Sequence, residues 1–344
     1  MSADDLEVIG YTPFNAETPV ERLSRPVTPA ENVYVRTNFD IPQLDPRGHR
    51  IRIDGAVDAG FDLSVTELQR MPQVRLTTTM ECAGNDRLSM RPIPRGEPWQ
   101  GGALSTVEWR GVPLRAMLER ASIAPGVVEM LVEGADKGKR DDAEGPVTFA
   151  RGVPIADALA PDTLLALEMN GAPLTPPHGA PVRLVVPGWY GMTNVKWVTR
   201  LSALTTPYAG YFQTKRYVYK RGDATEPVRL MRVKSIIVAP SDGSTHGRGA
   251  LRVWGWAWTG EGRVTRVEVA LGDGEWLDAT VDEPAFAYCW VRWEREIDLE
   301  RAGRVVLRSR ATDSTGTTQP DVAEWNQLGY GNNAIQSTII EVRR

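Results

Sequence analysis

Cysteine and histidine are scarce in this chain of 344 residues. It has two cysteines, Cys82 and Cys289, and three histidines, His49, His178 and His246. Two cysteines this far apart predict no structural disulfide, and they are too few for a zinc site with three or four close ligands. A cysteine protease needs a histidine partner for its nucleophile, and only His178 lies in a context that suggests a functional site.

Long apolar runs and excess positive charge are also missing. No segment approaches the ~18 apolar residues of a membrane-spanning helix. The net charge of −4, with no lysine-rich run, predicts neither nucleic acid nor a membrane surface as a partner. Residues 1–7 are acidic and contain no apolar signal segment or twin arginine. The sequence therefore predicts a cytoplasmic protein, or a periplasmic one if a leader has been removed.

The remaining composition is that of an ordinary globular protein, and the length suggests two domains. Apolar residues make up 42% and charged residues 24% of the chain. Residues 1–30 are polar and contain prolines, which indicates an extended arm. Residues 31–225 mix strand and helix patterns, such as the capping box of Ser64 and Glu67 and the helix start at Pro113. This part is predicted to be an α+β domain.

Short alternating strands are predicted in residues 226–344. About seven strands in ~110 residues, separated by turns such as the Asp-Gly pair at 273–274, indicate an immunoglobulin-like sandwich. Cys289 is expected in a strand of its core. Trp254, Trp256 and Trp258 are spaced two residues apart and share one strand face, which predicts a core or a dimer contact.

The most informative residue is Cys82, which follows an apolar and threonine-rich run from 74 to 80. That run predicts a strand, and Ala83-Gly84-Asn85 predicts a tight turn after it. The charged and polar neighbours are costly to bury, so the turn is expected to face a cavity or solvent. A thiol at such a place is a small buried hydrophobe, a nucleophile or a soft-metal ligand.

The segment Glu81-Cys82-Ala83-Gly84-Asn85-x-Arg87 resembles the signature of the sulfite oxidase family of molybdenum enzymes. In that family a single cysteine thiolate binds the molybdenum of a molybdopterin cofactor, so the resemblance implies that Cys82 is the metal ligand. The resemblance extends over about residues 33–342. Further matches in family order are Val35-Arg36, Glu133-Gly134-Ala135-Asp136-Lys137-Gly138, Glu168-Met169-Asn170-Gly171, His178-Gly179-x-Pro181-x-Arg183, Asn194-Val195-Lys196-Trp197 and Gly255-Trp256-Ala257-Trp258-x-Gly260.

Molybdopterin carries an anionic phosphate, so its pocket needs cations and oriented amides. His178, Arg183 and Lys196 cluster around a short strand predicted at 182–186 and the loop after it. Taken alone, Arg183 reads as an ordinary strand-end charge, but with Gly191 and Asn194 the group indicates a phosphate cradle. The resemblance implies a cofactor site formed by Arg36, Asn38, Asp136, His178, Arg183, Asn194, Val195 and Lys196, where Asn38 replaces the histidine of many members.

The substrate side of the predicted site must attract a small oxyanion to an acidic protein. Local arginines achieve this by focusing the electric field in a cleft. The resemblance implies that Arg36 and Arg87 bind the anion. It also implies that Trp99 is a pocket tryptophan, for which a core aromatic is the alternative, and that Tyr217 is the active-site tyrosine, although two other tyrosines lie close by.

One departure from the family concerns position 328. Similar sulfite-oxidising members often have a pocket arginine just after the Trp-Asn pair of the second domain. Here Trp325-Asn326 is followed by Gln327 and Leu328. Because leucine cannot donate a hydrogen bond to an oxyanion, one cation of that pocket is predicted to be absent. This bears on the identity of the substrate more than on that of the cofactor.

The resemblance implies a molybdopterin-dependent oxidoreductase that oxidises sulfite to sulfate by oxygen-atom transfer, as a homodimer. The sequence has no Cys-x-x-Cys-His and no segment similar to cytochrome b5. No haem is therefore predicted, and electrons are expected to pass to a separate protein such as a cytochrome c. The alternatives are a family member that reduces nitrate, another oxyanion or a sulfoxide, and a non-catalytic scaffold that keeps the fold.

Overall fold

Strands dominate both halves of the chain, and the helices are short. The computed structural model describes residues 6–343. The first half contains β1 (Glu7–Tyr11), β2 (Phe14–Glu17), β3 (Arg50–Gly55), β4 (Phe61–Ser64), α1 (Val65–Arg70), β5 (Val74–Glu81), β6 (Leu104–Pro113), α2 (Leu114–Ala121), β7 (Glu129–Gly138), β8 (Val147–Pro154), α3 (Ile155–Ala158), β9 (Leu164–Met169), β10 (Ala172–Pro173), β11 (Arg183–Val185), β12 (Val198–Leu204), α4 (Tyr211–Thr214), β13 (Val218–Arg221) and β14 (Ala224–Pro227). The second half contains β15 (Lys234–Ala239), β16 (Thr245–His246), β17 (Gly249–Trp258), β18 (Val264–Leu271), β19 (Leu277–Asp278), β20 (Thr280–Val281), β21 (Val291–Leu299), β22 (Gly303–Asp313) and β23 (Ser337–Val342). None of the helices between residues 6 and 343 has the length and apolar character needed to span a membrane.

Local sequence signals account for the two longest helices. The Ser64 side chain accepts from the Glu67 amide, and the Glu67 carboxylate accepts from the Ser64 amide at 2.8 Å, which completes the capping box of α1. The helix α2 begins after Pro113 and buries one face, formed by Leu114, Met117, Leu118 and Ala121. Both predicted helix starts are confirmed, although helices contribute less to this half than an α+β pattern suggests.

Two five-stranded sheets organise the first half. One has the order β10-β9-β6-β5, with β11 also paired to β9, and the other has the order β4-β3-β12-β7-β8. Within them only β12 and β3 pair in parallel, in the described part of the chain. Strand β5 runs from the exposed Val74 to the buried Glu81. It therefore delivers the next residue, Cys82, to the interior.

The second half is built from two further sheets. Their strand orders are β15-β17-β21-β20 and β16-β23-β22-β18-β19. Residues of both sheets share one buried apolar cluster, which includes Val253, Trp293, Leu307 and Ile340. Strands β18 and β19 pair across the turn predicted at 273–274. The predicted change from mixed structure to strands alone is confirmed for the described residues of this half.

The amino-terminal arm is folded rather than extended. Residues 1–5 lie outside the described residues, but β1 and β2 pair as a hairpin. Glu17, at the end of this hairpin, is buried and accepts hydrogen bonds from the backbone amides of Gln100 and Gly102, each at 2.9 Å. The prediction of an extended arm is wrong for residues 7–17, which pair as a hairpin, and these contacts tie the hairpin to the segment that carries Trp99.

The predicted tryptophan face joins the two halves. Trp256 stacks on Trp290 with ring centroids 4.6 Å apart, and its indole N–H donates to the Leu23 carbonyl at 2.5 Å. The indole N–H of Trp258 donates to the Glu81 carboxylate at 3.0 Å. These contacts lie within one chain, so the core alternative is confirmed for both side chains.

Cys289 lies in the loop before β21, not in a strand as predicted. Its thiol donates to the Thr77 carbonyl at 3.2 Å, and the neighbouring Tyr288 carbonyl accepts from the Thr79 amide at 2.9 Å. This loop supplies partners to the edge strand β5, whose backbone groups would otherwise be unpaired. Burial raises the pKa of the Cys289 thiol to about 12, which disfavours the reactive thiolate form.

Candidate active site

The turn after β5 fixes Cys82 at the end of the strand. The Cys82 amide donates to the Ala103 carbonyl at 2.9 Å, and the Asn85 amide donates to the Cys82 carbonyl at 2.9 Å. The Asn85 side-chain oxygen in turn accepts from the Ala103 amide at 3.0 Å. Cys82 is 7% exposed. The thiol is therefore held by a rigid backbone and reaches a cavity rather than open solvent.

Cys82 lines two neighbouring spaces. The first, here called the inner cavity, includes Tyr34, Trp109, Asp136, His178, Arg183 and Lys196 in its wall. The second, here called the funnel, includes Arg87, Trp99, Arg140, Leu328 and Tyr330. The residues that line both spaces are Arg36, Asn38, Cys82 and Tyr217.

The inner cavity contains the cations that the sequence predicts for a phosphate. The Arg183 guanidinium donates to the carbonyls of His178 at 3.1 Å and Asn194 at 3.3 Å, and it lies 4.7 Å from the centre of the Trp109 ring. Lys196 Nζ donates to the Pro177 carbonyl at 2.8 Å. In residues 6–343 neither cation has a carboxylate within 4 Å, although Asp136 acts electrostatically on Lys196. The Arg183 charge is therefore the one most available to an anion.

Several buried polar atoms of the inner cavity have no hydrogen-bond partner in the described part of the chain. They are Asp136 Oδ1, His178 Nε2, Arg183 Nε and Trp109 Nε1. Buried polar groups are normally hydrogen-bonded, and each exception points to a missing partner. A pterin with a phosphate supplies both acceptors for these N–H groups and donors for the carboxylate. The residues present therefore fit molybdopterin.

The electrostatics of this cavity also suit an anion. Burial, reinforced by Lys196 and Arg183, lowers the pKa of His178 to about 3. Burial likewise raises the pKa of Asp136 to about 6, against the opposing effect of Lys196. Burial raises the pKa of the Cys82 thiol, which bound molybdenum would deprotonate. Burial beside Lys196 and Arg183 therefore disfavours a protonated His178.

Two of the predicted cofactor residues act through the backbone or the core. Asn194 Oδ1 accepts from the Val186 amide at 2.7 Å, so this side chain shapes the loop beside the inner cavity, which it also lines. Val195 does not line the cavity. Its side chain is fully buried in the main core, and its carbonyl accepts from the Leu184 amide at 2.8 Å. Its side chain therefore has a packing role, and its predicted contact with the cofactor stays a prediction.

The two predicted anion-binding arginines lie in the wall of the funnel. Arg36 donates to the side-chain oxygens of Asn38 at 2.9 Å and Asn15 at 3.4 Å. Arg87 donates to the Glu97 carbonyl at 2.6 Å and the Leu328 carbonyl at 3.2 Å. Only neutral oxygens hold Arg87, whereas Arg36 also pairs with the Glu97 carboxylate at 4.0 Å. The positive charge of Arg87 is therefore the less compensated of the two.

Aromatic residues complete the wall of the funnel. Trp99 is fully buried, and its indole N–H has no partner in the described residues. The Tyr217 hydroxyl accepts from the Asn38 amide group at 3.1 Å. The Tyr217 ring stacks on the Tyr330 ring, with the ring centroids 5.3 Å apart. Of the tyrosines in its segment, Tyr217 is the one in the walls of both spaces.

A residue that the sequence does not single out stabilises the turn. Lys234, in β15 of the second half, is fully buried, and its Nζ lies 3.4 Å from the Asp86 carboxylate and 4.0 Å from the Glu81 carboxylate. Lys234 also donates to the Asn332 carbonyl at 2.8 Å. No sequence signal identifies this lysine, because about 150 residues separate it from its partners and a lone lysine in a strand pattern is ordinary.

The arrangement around Cys82 is that of one soft ligand rather than a cluster. Within residues 6–343 there is no group of three His, Cys, Asp or Glu side chains that could hold a metal ion. A cofactor that brings its own metal ligands resolves this shortage. The family description "Oxidoreductase molybdopterin binding domain" matches residues 38–212, and "Mo-co oxidoreductase dimerisation domain" matches residues 226–342. The chain belongs to the sulfite oxidase family of molybdopterin-dependent oxidoreductases.

Its relatives include enzymes with different named activities. Chicken sulfite oxidase (Gallus gallus) is 34% identical over 96% of this chain and 76% of that protein. The nitrate reductase [NADH] 1 of rice (Oryza sativa subsp. japonica) is 33% identical over 98% of this chain and 41% of that protein. The crystal structure of the sulfane dehydrogenase SoxCD from Paracoccus pantotrophus matches with a TM-score of 0.84 and 30% identity, over 97% of this chain and 88% of that one.

Arg183 provides a test of the inner cavity of this sulfite oxidase family member. Arg183→Met is expected to weaken cofactor retention about tenfold or more, because charge-assisted hydrogen bonds contribute about 1.5–3 kcal/mol each. The measurement is molybdenum and pterin per chain in the purified protein. Arg115→Met, which removes an exposed arginine from α2, is the matched control. Equal cofactor content in both variants would place the phosphate elsewhere.

Proposed function

We propose that this enzyme oxidises sulfite to sulfate. The observation that carries the proposal is the position of the Cys82 thiol, in the wall of both the phosphate-suited inner cavity and the cationic funnel. When bound at the inner cavity, molybdopterin supplies molybdenum that is competent for two-electron oxygen-atom transfer. The funnel is then the route by which an anionic substrate reaches it.

The residues of the funnel bind and orient the anion. Arg36 and Arg87 provide fixed guanidinium groups, whose planar N–H donors match the oxygens of a small oxyanion. The field in a cleft outweighs the modest net charge of −4. The Tyr217 hydroxyl, held by Asn38, supplies one further polar group at the junction of the two spaces.

Oxidation of sulfane sulfur is the second candidate function. Leu328, rather than a cation, lines the funnel, and the solved structure with a TM-score of 0.84 is that of a sulfane dehydrogenase. An apolar side chain at this place tolerates a substrate with an uncharged sulfur better than one with oxygens on every side. Reduction of nitrate is a third reaction, named for the rice relative.

The decisive assay is reduction of a one-electron acceptor such as ferricyanide by the molybdenum-loaded enzyme. Sulfite is expected to drive this reduction, with two equivalents of acceptor consumed for each sulfate formed. Thiosulfate, as a sulfane donor, and nitrate with reduced viologen are run in parallel. Turnover of either of these without turnover of sulfite would reject the assignment. A molybdenum content near zero from a host that makes the cofactor would favour a scaffold.

The remaining features of the proposal concern partners and assembly. The dimerisation-domain match over residues 226–342 supports a homodimer, and we propose that its two sheets form an immunoglobulin-like sandwich. Electrons must leave one at a time, and a separate acceptor protein such as a cytochrome c would receive them. We propose a haem-free chain on the ground that these 344 residues contain no Cys-x-x-Cys-His.

A further inference from the structure

The loop that carries Leu328 fixes this residue in the wall of the funnel. Asn326 accepts from the Tyr330 amide at 3.0 Å and donates to the Tyr330 carbonyl at 2.8 Å, which closes the loop. The Leu328 carbonyl accepts from Arg87, while its side chain packs against the main core. The loop is therefore rigid, and it brings no cation to this part of the funnel.

Arg140, in the loop between β7 and β8, lines the same funnel. Its guanidinium lies 4.7 Å from the centre of the Phe39 ring and 5.8 Å from that of Phe212. Its Nη2 donates to the Asn38 backbone carbonyl at 2.7 Å and to the Asn38 side-chain oxygen at 3.2 Å. Aromatic rings and one asparagine therefore hold this arginine beside the space that Arg36 and Cys82 also line.

The charge of Arg140 has no counter-ion among the described residues. No carboxylate lies within 4 Å of it, and its Nε is buried without a hydrogen-bond partner. Asp142, the acidic residue of the same loop, contacts other side chains instead of Arg140. It accepts from the Tyr211 hydroxyl at 2.5 Å and pairs with Arg216 at 3.0 Å. A buried, unpartnered cationic N–H group in a cavity wall points to an anionic ligand.

Asn38 brings two arginines together. Its side-chain oxygen accepts from Arg36 Nη2 at 2.9 Å and from Arg140 Nη2 at 3.2 Å. Two positive charges that share one neutral oxygen repel each other, and this repulsion costs free energy until an anion lies between or beside them. The amide nitrogen of Asn38 donates to Tyr217, so the same residue links both arginines to the predicted active-site tyrosine.

We propose that Arg140 is a third substrate-binding cation of the funnel, which acts with Arg36 and Arg87 on the oxyanion. It supplies from the β7–β8 loop the positive charge that Leu328 does not supply from the second half of the chain. The inference rests on the proposed function in one respect only, namely that the ligand of the funnel is a sulfur oxyanion.

The test compares Arg140→Gln with Lys139→Gln in the holoenzyme. Lys139 is the adjacent, exposed cation and lies outside both cavity walls, so both variants lose one positive charge from the same loop. Two quantities are measured, namely the Kd of sulfate by titration calorimetry and the KM of sulfite. Arg140→Gln is expected to raise both about tenfold or more, with a smaller change in kcat. Arg140→Lys keeps the positive charge but lacks the planar guanidinium donors. Its sulfate Kd and sulfite KM are expected to lie between those of the wild type and of Arg140→Gln.

The outcomes separate this proposal from the proposed function. A purely structural Arg140, which only holds Asn38 and the aromatic rings, would lower kcat or Tm and leave the sulfate Kd and its salt dependence unchanged. That result would overturn the proposal even if the wild-type enzyme oxidises sulfite. Conversely, if the wild-type enzyme is inactive with sulfite but Arg140→Gln still weakens sulfate binding tenfold, the anion site stands and the substrate assignment fails.

Discussion

Cys82→Ser is expected to lower sulfite-dependent turnover by at least about a hundredfold. A hydroxyl is a much poorer ligand than a thiolate for a soft metal, and even changes outside the metal's own ligands cost ~10–100-fold in metal affinity or activity. Among residues 6–343 no group of three His, Cys, Asp or Glu side chains could hold the metal in its place. The measurement is kcat per molybdenum, with the metal content of each preparation determined in parallel.

Cys289→Ser is the matched control for this experiment. Its thiol contacts the Thr77 carbonyl in a loop at the edge of β5 and lines neither space. We expect wild-type turnover from this variant. Full activity of Cys82→Ser would remove the basis of the metal-ligand assignment, whereas loss of activity in both variants would show only that thiol removal disturbs β5.

Lys234→Met is expected to lower the free energy of unfolding by about 3–5 kcal/mol, because it leaves two buried carboxylates without their cation. Lys234 is fully buried between Glu81 and Asp86. Urea denaturation of the wild type and the variant measures the loss. Lys137→Met, at an exposed position of β7, removes the same charge and is expected to change stability by less than about 0.5 kcal/mol. Equal effects in the two variants would mean that the buried ion network contributes little.

The effect of Lys234→Met should depend on pH. Burial raises the pKa of Glu81, and Lys234 is the strongest influence that holds it down. A carboxyl whose pKa is raised by folding binds a proton more readily in the folded state, so its contribution to stability declines as pH rises through that pKa. Without Lys234, ionisation of the buried Glu81 carboxylate lowers the stability of the folded state further. The variant should therefore lose more stability at pH 8 than at pH 5, and the opposite slope would contradict the role assigned to Lys234.

The Cys82 turn and the cofactor cations were predictable because their signals are local. A strand followed by Ala83-Gly84-Asn85 fixes where the thiol lies. His178, Arg183 and Lys196 are spaced around one short strand, so their proximity depends little on residues distant in sequence. The capping box of Ser64 was predictable for the same reason, since its two hydrogen bonds span three residues.

Other features were not predictable because their partners are distant in sequence. The arm was expected to be extended, but Glu17 binds amides of Gln100 and Gly102. Cys289 was expected in a strand, but its loop covers the edge of β5. Local pattern carries no information about which loop will pair with a strand edge, so these errors come from contacts made only in the folded chain.

By itself the sequence determined the family, and it predicted the thiol that would bind the metal and the cations of the inner cavity, all of which lie in short segments. Only the tertiary structure decided how the substrate side is charged. Position 328 carries leucine rather than a cation, and Arg140 lines the same funnel from the β7–β8 loop, where it contacts Asn38. Lys234 likewise reached the turn of Cys82 from the second half. The physical reason is that electrostatic compensation acts through space, where the order of residues along the chain no longer matters.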